Sequence, residues 1–451
     1  FAVAPVDVRT VLSPEFKEAG SRVIRIPVVC DEERIPDFDG LTRNYQRIFD
    51  MIQKGLVKAA YAVGSGGVAE AISKMTFGNG IGFQFAQDVE SELLFRPGYG
   101  DILLELSAAA DPGAVFGETG YELLGQTIEE PVIIFADTRI LLQEALNAWM
   151  EPLETVFPTR VEAKPELVKG FTYPTPGSSK SRFKVAKPRV FIPVFPGTNC
   201  EYDTQRAFEK AGAEVSTLVF RNLTPKDIEE TIEQFVRQID KAQIVMLPGG
   251  FSAGDEPDGS GKFIATAFRN PRIKDAVMRL LKERDGLMLG ICNGFQALIK
   301  LGLVPYGEIV DLKPNSPTLT YNTLGRHVSC LVQTRIASKK SPWLSRVELG
   351  DIHTIAVSHG EGRFVADTAL VEELARNGQI ATQYVDINGE PSMDIRYNPN
   401  GSVAAIEGIT SPDGRVFGKM GHSERYGPHL YRNVPGEKDQ LIFRAGVEYF
   451  L

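Results

Sequence analysis

From Arg189 onward, short apolar runs alternate with amphipathic stretches in a regular order. Val190–Phe195 reads as a strand, Asp203–Ala211 as a helix closed by Gly212, and Glu214–Val219 as a second strand. Ile228–Gln238 carries helical spacing and leads to a strand at Ala242–Leu247, and Pro271–Leu281 is a helix feeding a strand at Leu287–Leu289. Parallel strands need crossover connections, so repeated strand–loop–helix order predicts an α/β unit with a doubly wound, mainly parallel sheet. Ligands of such sheets sit beyond the carboxyl ends of the strands. Three Gly-containing segments fall there: Phe195-Pro-Gly-Thr-Asn-Cys200, Pro248-Gly-Gly-Phe-Ser-Ala-Gly-Asp255 and Gly290-Ile-Cys-Asn-Gly294.

The pattern before Arg189 is different. Residues 1–155 mix strands expected at 22–29, 81–86, 101–106 and 131–135 with helices at Leu41–Gly55, Gly67–Phe77, Asp88–Leu94 and Ile140–Glu151, which predicts an α+β unit. Within it, Tyr61-Ala-Val-Gly-Ser-Gly-Gly67 is a Gly-rich turn opening a helix. Such a turn exposes N–H groups to a phosphate, but this one lacks the Lys-Ser/Thr of a nucleotide loop, and a tightly packed turn explains it equally well. Residues 156–187 are rich in proline, lysine and serine without periodicity, and read as a linker or strap. Residues 188–451 form the last domain.

Composition narrows the field. The 451-residue chain carries a net charge of -9, which gives no support for a nucleic-acid partner. No run has the length and apolarity of a membrane span, which predicts no membrane partner. The chain opens on Phe1 without a signal-peptide pattern, which predicts a cut inside a longer polypeptide. Four scattered cysteines show no metal-ligand spacing and suit reduced thiols in a cytoplasmic protein, so no metal is expected in the last domain. Cys30 and Cys330 read as buried strand cysteines.

Cys292 stands apart. An apolar run ends at Gly290-Ile-Cys292-Asn-Gly294 and a helix pattern follows at once, the grammar of a nucleophile elbow. A cysteine at that apex points to acyl transfer through a thioester. Its oxyanion needs donors, for which the N–H of Asn293 and the Gly249-Gly250-Phe251 turn are candidates. Gln296, one helical turn on, points toward the same cleft as a substrate ligand or as a group satisfied inside the fold. A base is also required, and only five histidines exist. In both His422-Ser-Glu424 and His359-Gly-Glu361 a carboxylate follows two residues on, where an extended segment would place it on the same face as the imidazole. His422 is preferred and His359 is its rival.

These residues resemble a class I, triad-type glutamine amidotransferase domain over 189–451, in the form found at the C-terminus of the large phosphoribosylformylglycinamidine synthases. The matching phrases are Pro196-Gly-Thr-Asn-Cys200, Leu247-Pro-Gly-Gly-Phe-Ser-Ala-Gly-Asp255, Gly290-Ile-Cys-Asn-Gly-Phe-Gln296, Ser358-His-Gly-Glu-Gly-Arg-Phe364 and Gly421-His-Ser-Glu-Arg425. The resemblance implies Cys292 as nucleophile, His422 as base and Glu424 as its orienter, with His359 and Glu361 on a loop near the site. It implies glutamine as substrate and internal delivery of ammonia to a synthase portion that converts formylglycinamide ribonucleotide to its amidine with ATP and Mg2+. The family's commoner last motif carries proline where this chain has Gly421 or Ser423. Residues 1–155, through Leu12-Ser-Pro-Glu-Phe-Lys17 and Gly66-Gly-Val-Ala-Glu-Ala71, resemble the later part of the second synthase repeat of the same enzymes. The upstream synthase portion is then the expected partner, and no complete ATP and Mg2+ site is expected in this chain. The alternatives are a stand-alone cysteine amidohydrolase or peptidase, for which the first unit is dispensable, and a glutamine sensor that binds without turnover.

Overall fold

The computed structural model describes residues 4–33, 35–156, 168–177, 180–252 and 261–451. It divides into two compact units, Phe1–Val156 and Phe157–Leu451.

The first unit is built on a seven-stranded sheet of β1 (Arg22–Ile26), β2 (Val57–Ala62), β3 (Gly82–Phe85), β4 (Ile102–Leu106), β5 (Glu122–Ile128), β6 (Val132–Phe135) and β7 (Thr138–Leu141), in the order β2-β4-β1-β5-β3-β6-β7. All pairings are antiparallel except β3 with β6. Alternation along the strands divides its core in two. Val23 and Leu103 pack with Val68, Ile72 and Met75 of the helix Gly67–Phe77. Their neighbours Ile24 and Leu104 pack with Ile48 and Met51 of the helix Phe38–Gln53. Strands β2, β5 and β7 escape the sequence pattern, and β7 takes Ile140 and Leu141 from the helix expected there, which starts at Leu142. In β5, Gly125 lies so close to β3 that a Cβ would stand 2.1 Å from the Gln84 carbonyl oxygen, so a residue that weakens an isolated strand is what permits this pairing.

The second unit holds β8 (Arg189–Val194), β9 (Glu214–Val219), β10 (Ile244–Leu247), β11 (Leu287–Ile291), β12 (Thr318–Thr320), β13 (Val328–Ile336), β14 (Ile352–His359), β15 (Arg363–Val365), β16 (Ile380–Val385), β17 (Ile406–Thr410) and β18 (Val416–Lys419). Nine of them form one sheet in the order β14-β13-β16-β17-β18-β11-β10-β8-β9, while β12 and β15 pair separately. The run β18-β11-β10-β8-β9 is parallel. Its inner strands β10 and β11 are buried at every position, as strands covered on both faces must be. The other four pairings are antiparallel, so the expected mainly parallel sheet is corrected to an evenly mixed one. For β17 and β18 a short connection is the cause. The turn Ser411-Pro-Asp-Gly-Arg415 between β17 and β18 has no room for a crossover and returns the chain antiparallel.

Of the expected linker, 157–167 and 178–179 lie outside the described residues. The remainder is stitched to the second unit. Phe171 N–H donates to Gln383 Oε1 (2.9 Å), Ser181 N–H to the Tyr449 carbonyl (2.7 Å), and Tyr173 bridges Ser338. Cys30 and Cys330 are exposed, against expectation. Cys30 sits outside the named strands in an isolated bridge to Pro36, and Cys330 lies on β13 paired with Val357 of β14. No helix among the described residues is long and apolar enough to cross a membrane.

Candidate active site

Strand β11 stops at Ile291 and the helix Asn293–Leu301 begins two residues on, leaving Cys292 as the hinge. Its φ of 53° with ψ of -108° is costly for a residue with a side chain and persists only if the surroundings enforce it. They do. A Cβ at Gly294 would lie 1.9 Å from the Leu247 carbonyl oxygen, and one at Gly290 would lie 2.7 Å from the Gly294 backbone. Only glycines let strand and helix close around the turn. Cys292 N–H donates to the Lys419 carbonyl (2.9 Å), and its Sγ lies 3.8 Å from the Ser358 carbonyl at the end of β14.

Beyond β18 the chain reaches His422 and then makes one 3-10 turn, Ser423–Arg425. That turn folds Glu424 back until Oε1 is 2.5 Å from His422 Nδ1. The two-residue spacing therefore works through a tight turn, not through the extended segment the sequence suggested. Both side chains are buried. Burial alone pushes the imidazole pKa down, but the Glu424 carboxylate, with Cys292 and Cys200, outweighs it and raises His422 well above its ordinary value. Burial pushes Glu424 up, and the His422 charge reverses this, leaving it lowered. His422 Nε2 has no hydrogen-bond partner within the protein, so it is the nitrogen left for chemistry.

Gly249 is the point on which the site converges. A Cβ there would stand 2.8 Å from His422 Cε1, 3.1 Å from Cys200 Sγ and 3.5 Å from Cys292 Cβ. Gly250, at φ 144°, packs against Gly197 and Thr198. The N–H of its neighbour Phe251 donates to the Gly197 carbonyl (2.8 Å), which leaves Gly250 as the candidate donor of this turn. Asn293 opens its helix, so its N–H has no acceptor within that helix and stands beside the thiol. The phrase Ala253-Gly-Asp255 lies outside the described residues.

Gln296 is hydrogen-bonded within the fold. Its Nε2 donates to the Glu361 carbonyl and its Oε1 accepts from Asn293 Nδ2 (3.0 Å), so it ties the elbow helix to the loop after β14. Glu361 is buried there. His359 faces Asn322 Oδ1 (3.3 Å) rather than a carboxylate. Burial first, then the His422 and His327 charges, push its pKa down to about 3.

Cys200 is a site neighbour that sequence reasoning passed over. It caps the helix Glu201–Lys210, with Sγ 3.9 Å from His422 Nδ1 and 3.3 Å from Arg425 Nη2. Its position after the first parallel strand was the available signal. Cys200, His422 and Glu424 offer ligand atoms within 4.8 Å of one another. The 2.5 Å between Nδ1 and Oε1 is a hydrogen bond, however, whereas two ligands around one tetrahedral ion stand about 3 Å or more apart.

In the first unit the Gly-rich turn is engaged by a side chain of its own helix. Gly66 N–H donates to Glu70 Oε2 (2.9 Å), so a carboxylate already occupies the start of that helix.

A family model described as a CobB/CobQ-like glutamine amidotransferase domain matches residues 187–450. The chain is 34% identical over 249 residues to phosphoribosylformylglycinamidine synthase subunit PurQ of Aquifex aeolicus, covering 55% of this chain and 94% of that protein. It is 35% identical over 283 residues to the same subunit of Treponema denticola, covering 59% of this chain and 100% of that protein. Among solved structures, PurLQS from Thermotoga maritima matches at 27% identity with a TM-score of 0.42, covering 59% of this chain and 100% of that chain.

Proposed function

Because the chain belongs to the CobB/CobQ-like glutamine amidotransferase family, we propose that its second unit hydrolyses glutamine to glutamate and ammonia through a thioester on Cys292. The ammonia serves phosphoribosylformylglycinamidine synthesis, the reaction for which the PurQ relatives are named. His422 acts as base and acid, and Glu424 as its orienting carboxylate. One observation carries this assignment: a cysteine held at a positive-φ elbow beside a buried imidazole whose other nitrogen is 2.5 Å from a carboxylate.

The steps follow from these groups. His422 takes the Cys292 proton, and the raised imidazole pKa favours the thiolate–imidazolium pair. The thiolate attacks the side-chain amide carbon of glutamine. The resulting oxyanion is met by the Asn293 N–H, with Gly250 as the second candidate. As the C–N bond breaks, the imidazolium gives its proton to the leaving nitrogen and ammonia departs. Water then attacks the thioester, losing a proton to His422, and glutamate leaves as the thiolate re-forms. Glu424 holds the ring and balances its charge in both halves.

The receiving synthase converts formylglycinamide ribonucleotide to its amidine with ATP and Mg2+. The first unit is read as the later part of its second repeat, on the resemblance of its motifs. ATP would supply activation of the amide oxygen there. Glu70 takes the Gly66 N–H at the Gly-rich turn, and no step is drawn through it.

Cys292→Ala in the complete synthase should abolish glutamine-dependent amidine formation and leave the ammonia-dependent reaction intact. Loss of both, measured with each nitrogen donor in turn, would overturn the two-site reading.

A further inference from the structure

Lys419 and Glu407 are wholly buried and form a 3.3 Å ion pair on the neighbouring strands β18 and β17. Removing two charges from water costs about as much as their attraction returns, so such a pair is a poor source of net stability. Its hydrogen bonds show a different use. Glu407 Oε1 accepts from Gly421 N–H (2.7 Å), and Oε2 accepts from the Thr382 hydroxyl. Lys419 Nζ donates to the Gly421 carbonyl (2.8 Å) and to Ser423 Oγ (3.0 Å). Ser423 Oγ in turn donates to Gln440 Oε1 (2.7 Å), and His422 N–H donates to the Ala356 carbonyl (2.8 Å). The residues on both sides of His422 are thus fixed by contacts that never touch its ring. A Cβ at Gly421 would lie 3.0 Å from both Glu407 Oε1 and Lys419 Nζ, so the backbone closes directly onto the pair. The same Lys419 reaches the nucleophile through its main chain, because its carbonyl accepts the Cys292 N–H (2.9 Å).

We propose that the buried Lys419–Glu407 pair is the positioning device that sets His422 against Cys292, holding Gly421 and Ser423 so that the ring meets Glu424 on one side and the thiol on the other. Lys419 and Glu407 are positioning residues and touch no reacting atom. Their role rests on the proposed reading of His422 as the base. Where prolines would stiffen the chain beside that histidine, hydrogen bonds to a buried charge pair do so here.

The groups acting on the imidazole come from four elements: Glu424 on its own turn, Cys292 at the elbow, Cys200 at a helix start, and His359 at the end of β14. Arg425 lies beyond Cys200. Lys419 also acts on the buried His353 of β14. If the pair is lost, the ring relaxes from Glu424 and its pKa falls, so the alkaline limit of the thiolate–imidazolium pair moves to lower pH.

The test uses the full chain and the charge-balanced variant Glu407→Gln/Lys419→Met. Labelling of Cys292 by a glutamine-like diazoketone is followed against pH, with iodoacetamide as the unspecific reagent and thermal unfolding as the measure of folding. At neutral pH, analogue labelling should slow at least about 10-fold, the factor about 1.4 kcal/mol of lost orientation gives. The half-saturating concentration should change less than about two-fold, since no substrate ligand is removed. The alkaline limb should move down by about one pH unit, as the carboxylate partner is loosened. A slowing no larger than the loss of folded protein, with the limb unmoved, would assign the pair to stability and sink the proposal. If the double variant does not fold, Ser423→Ala removes one bond to Nζ and leaves every charge in place. It should shift the limb in the same direction by a smaller amount, and an unmoved limb there is equally fatal. His422→Gln separates the two claims. If it keeps the limb, the base assignment has failed and the positioning role falls with it. If it loses the limb while the pair variants hold it in place, the positioning role alone is wrong.

Discussion

Two segments of the second unit carry a histidine followed two residues later by a glutamate, and they end in opposite chemical states. At His422 the chain enters a 3-10 turn that returns Glu424 to 2.5 Å from Nδ1, and the ring is held above its ordinary pKa. At His359 the chain leaves the end of β14, the ring faces the Asn322 amide, and its pKa is pushed down to about 3. Both histidines are buried to a similar degree, at 3% and 2% exposure, so burial does not decide the outcome. A charged partner does. Desolvation without a counter-charge keeps an imidazole neutral, and the same desolvation around a carboxylate locks it into an ion pair.

Breaking the comparison in rate should give its largest effect. His422→Gln removes the proposed proton carrier and should lower glutaminase turnover by about 10^4 or more, as loss of a member of a catalytic unit does. His359→Gln, which retains an amide-compatible side chain opposite Asn322, should cost under about 10-fold. Steady-state ammonia release by the two variants in the complete synthase measures both. A reversed ranking would move the base to His359.

The two histidines also mark how far sequence reading reached. The elbow was legible because its requirements are local: a Gly–x–Cys–x–Gly spacing between an apolar run and a helix encodes the strained turn directly. The parallel strands β8 to β11 were legible for a similar reason, since each apolar run carries its helix beside it. The choice between Glu424 and Glu361 was not encoded in spacing, which is identical. It depends on a turn fixed by Lys419, Glu407 and Gln440, residues that are far apart in sequence or hidden inside strands. Cys200 was quoted within a motif and yet went unassigned, because only folding brings the ends of β8 and β10 together around Gly249. The antiparallel half of the sheet was missed because its strands β13, β14, β16, β17 and β18 lack the regular alternation with helices that makes a βα unit visible.

Acid should expose the same contrast in stability. His359 has a folded pKa below its unfolded value of 6.5, so its contribution is fully present above about pH 6.5 and is lost as pH falls toward about 3. The unfolded chain takes up a proton that the folded site refuses, at about 1.4 kcal/mol per pH unit, or about 3 kcal/mol by pH 4. His422 has the opposite sign: its raised folded pKa gives stability that is present in acid and lost only as pH rises through that value. Glu424, lowered, keeps its contribution until pH falls through its own folded pKa, below 4.5. Denaturant midpoints between pH 7 and pH 4 should therefore fall less steeply for His359→Gln than for the parent chain. Equal slopes would show that His359 is not held neutral.

The finest distinction concerns the two thiols around Gly249. Cys200 lies 3.9 Å from His422 Nδ1 and so competes with Cys292 for the role of nucleophile on proximity alone. Its backbone argues otherwise. Cys200 caps its helix at φ -106°, an unstrained value, and its own N–H is committed to the Gly249 carbonyl (3.3 Å). Cys292 stands at φ 53° beside a helix-opening N–H that is available to an oxyanion. Cys200 also faces Nδ1, the nitrogen already held by Glu424, while the unpartnered Nε2 is left for the other thiol. Cys200→Ala should then cost turnover only about three-fold, the size of one weak hydrogen bond to the ring. It should leave one covalent equivalent of the glutamine-like diazoketone per chain, mapped by peptide mass to Cys292. Label lost in this variant and retained in Cys292→Ala would exchange the roles of the two thiols and turn the strained elbow into a mere packing feature.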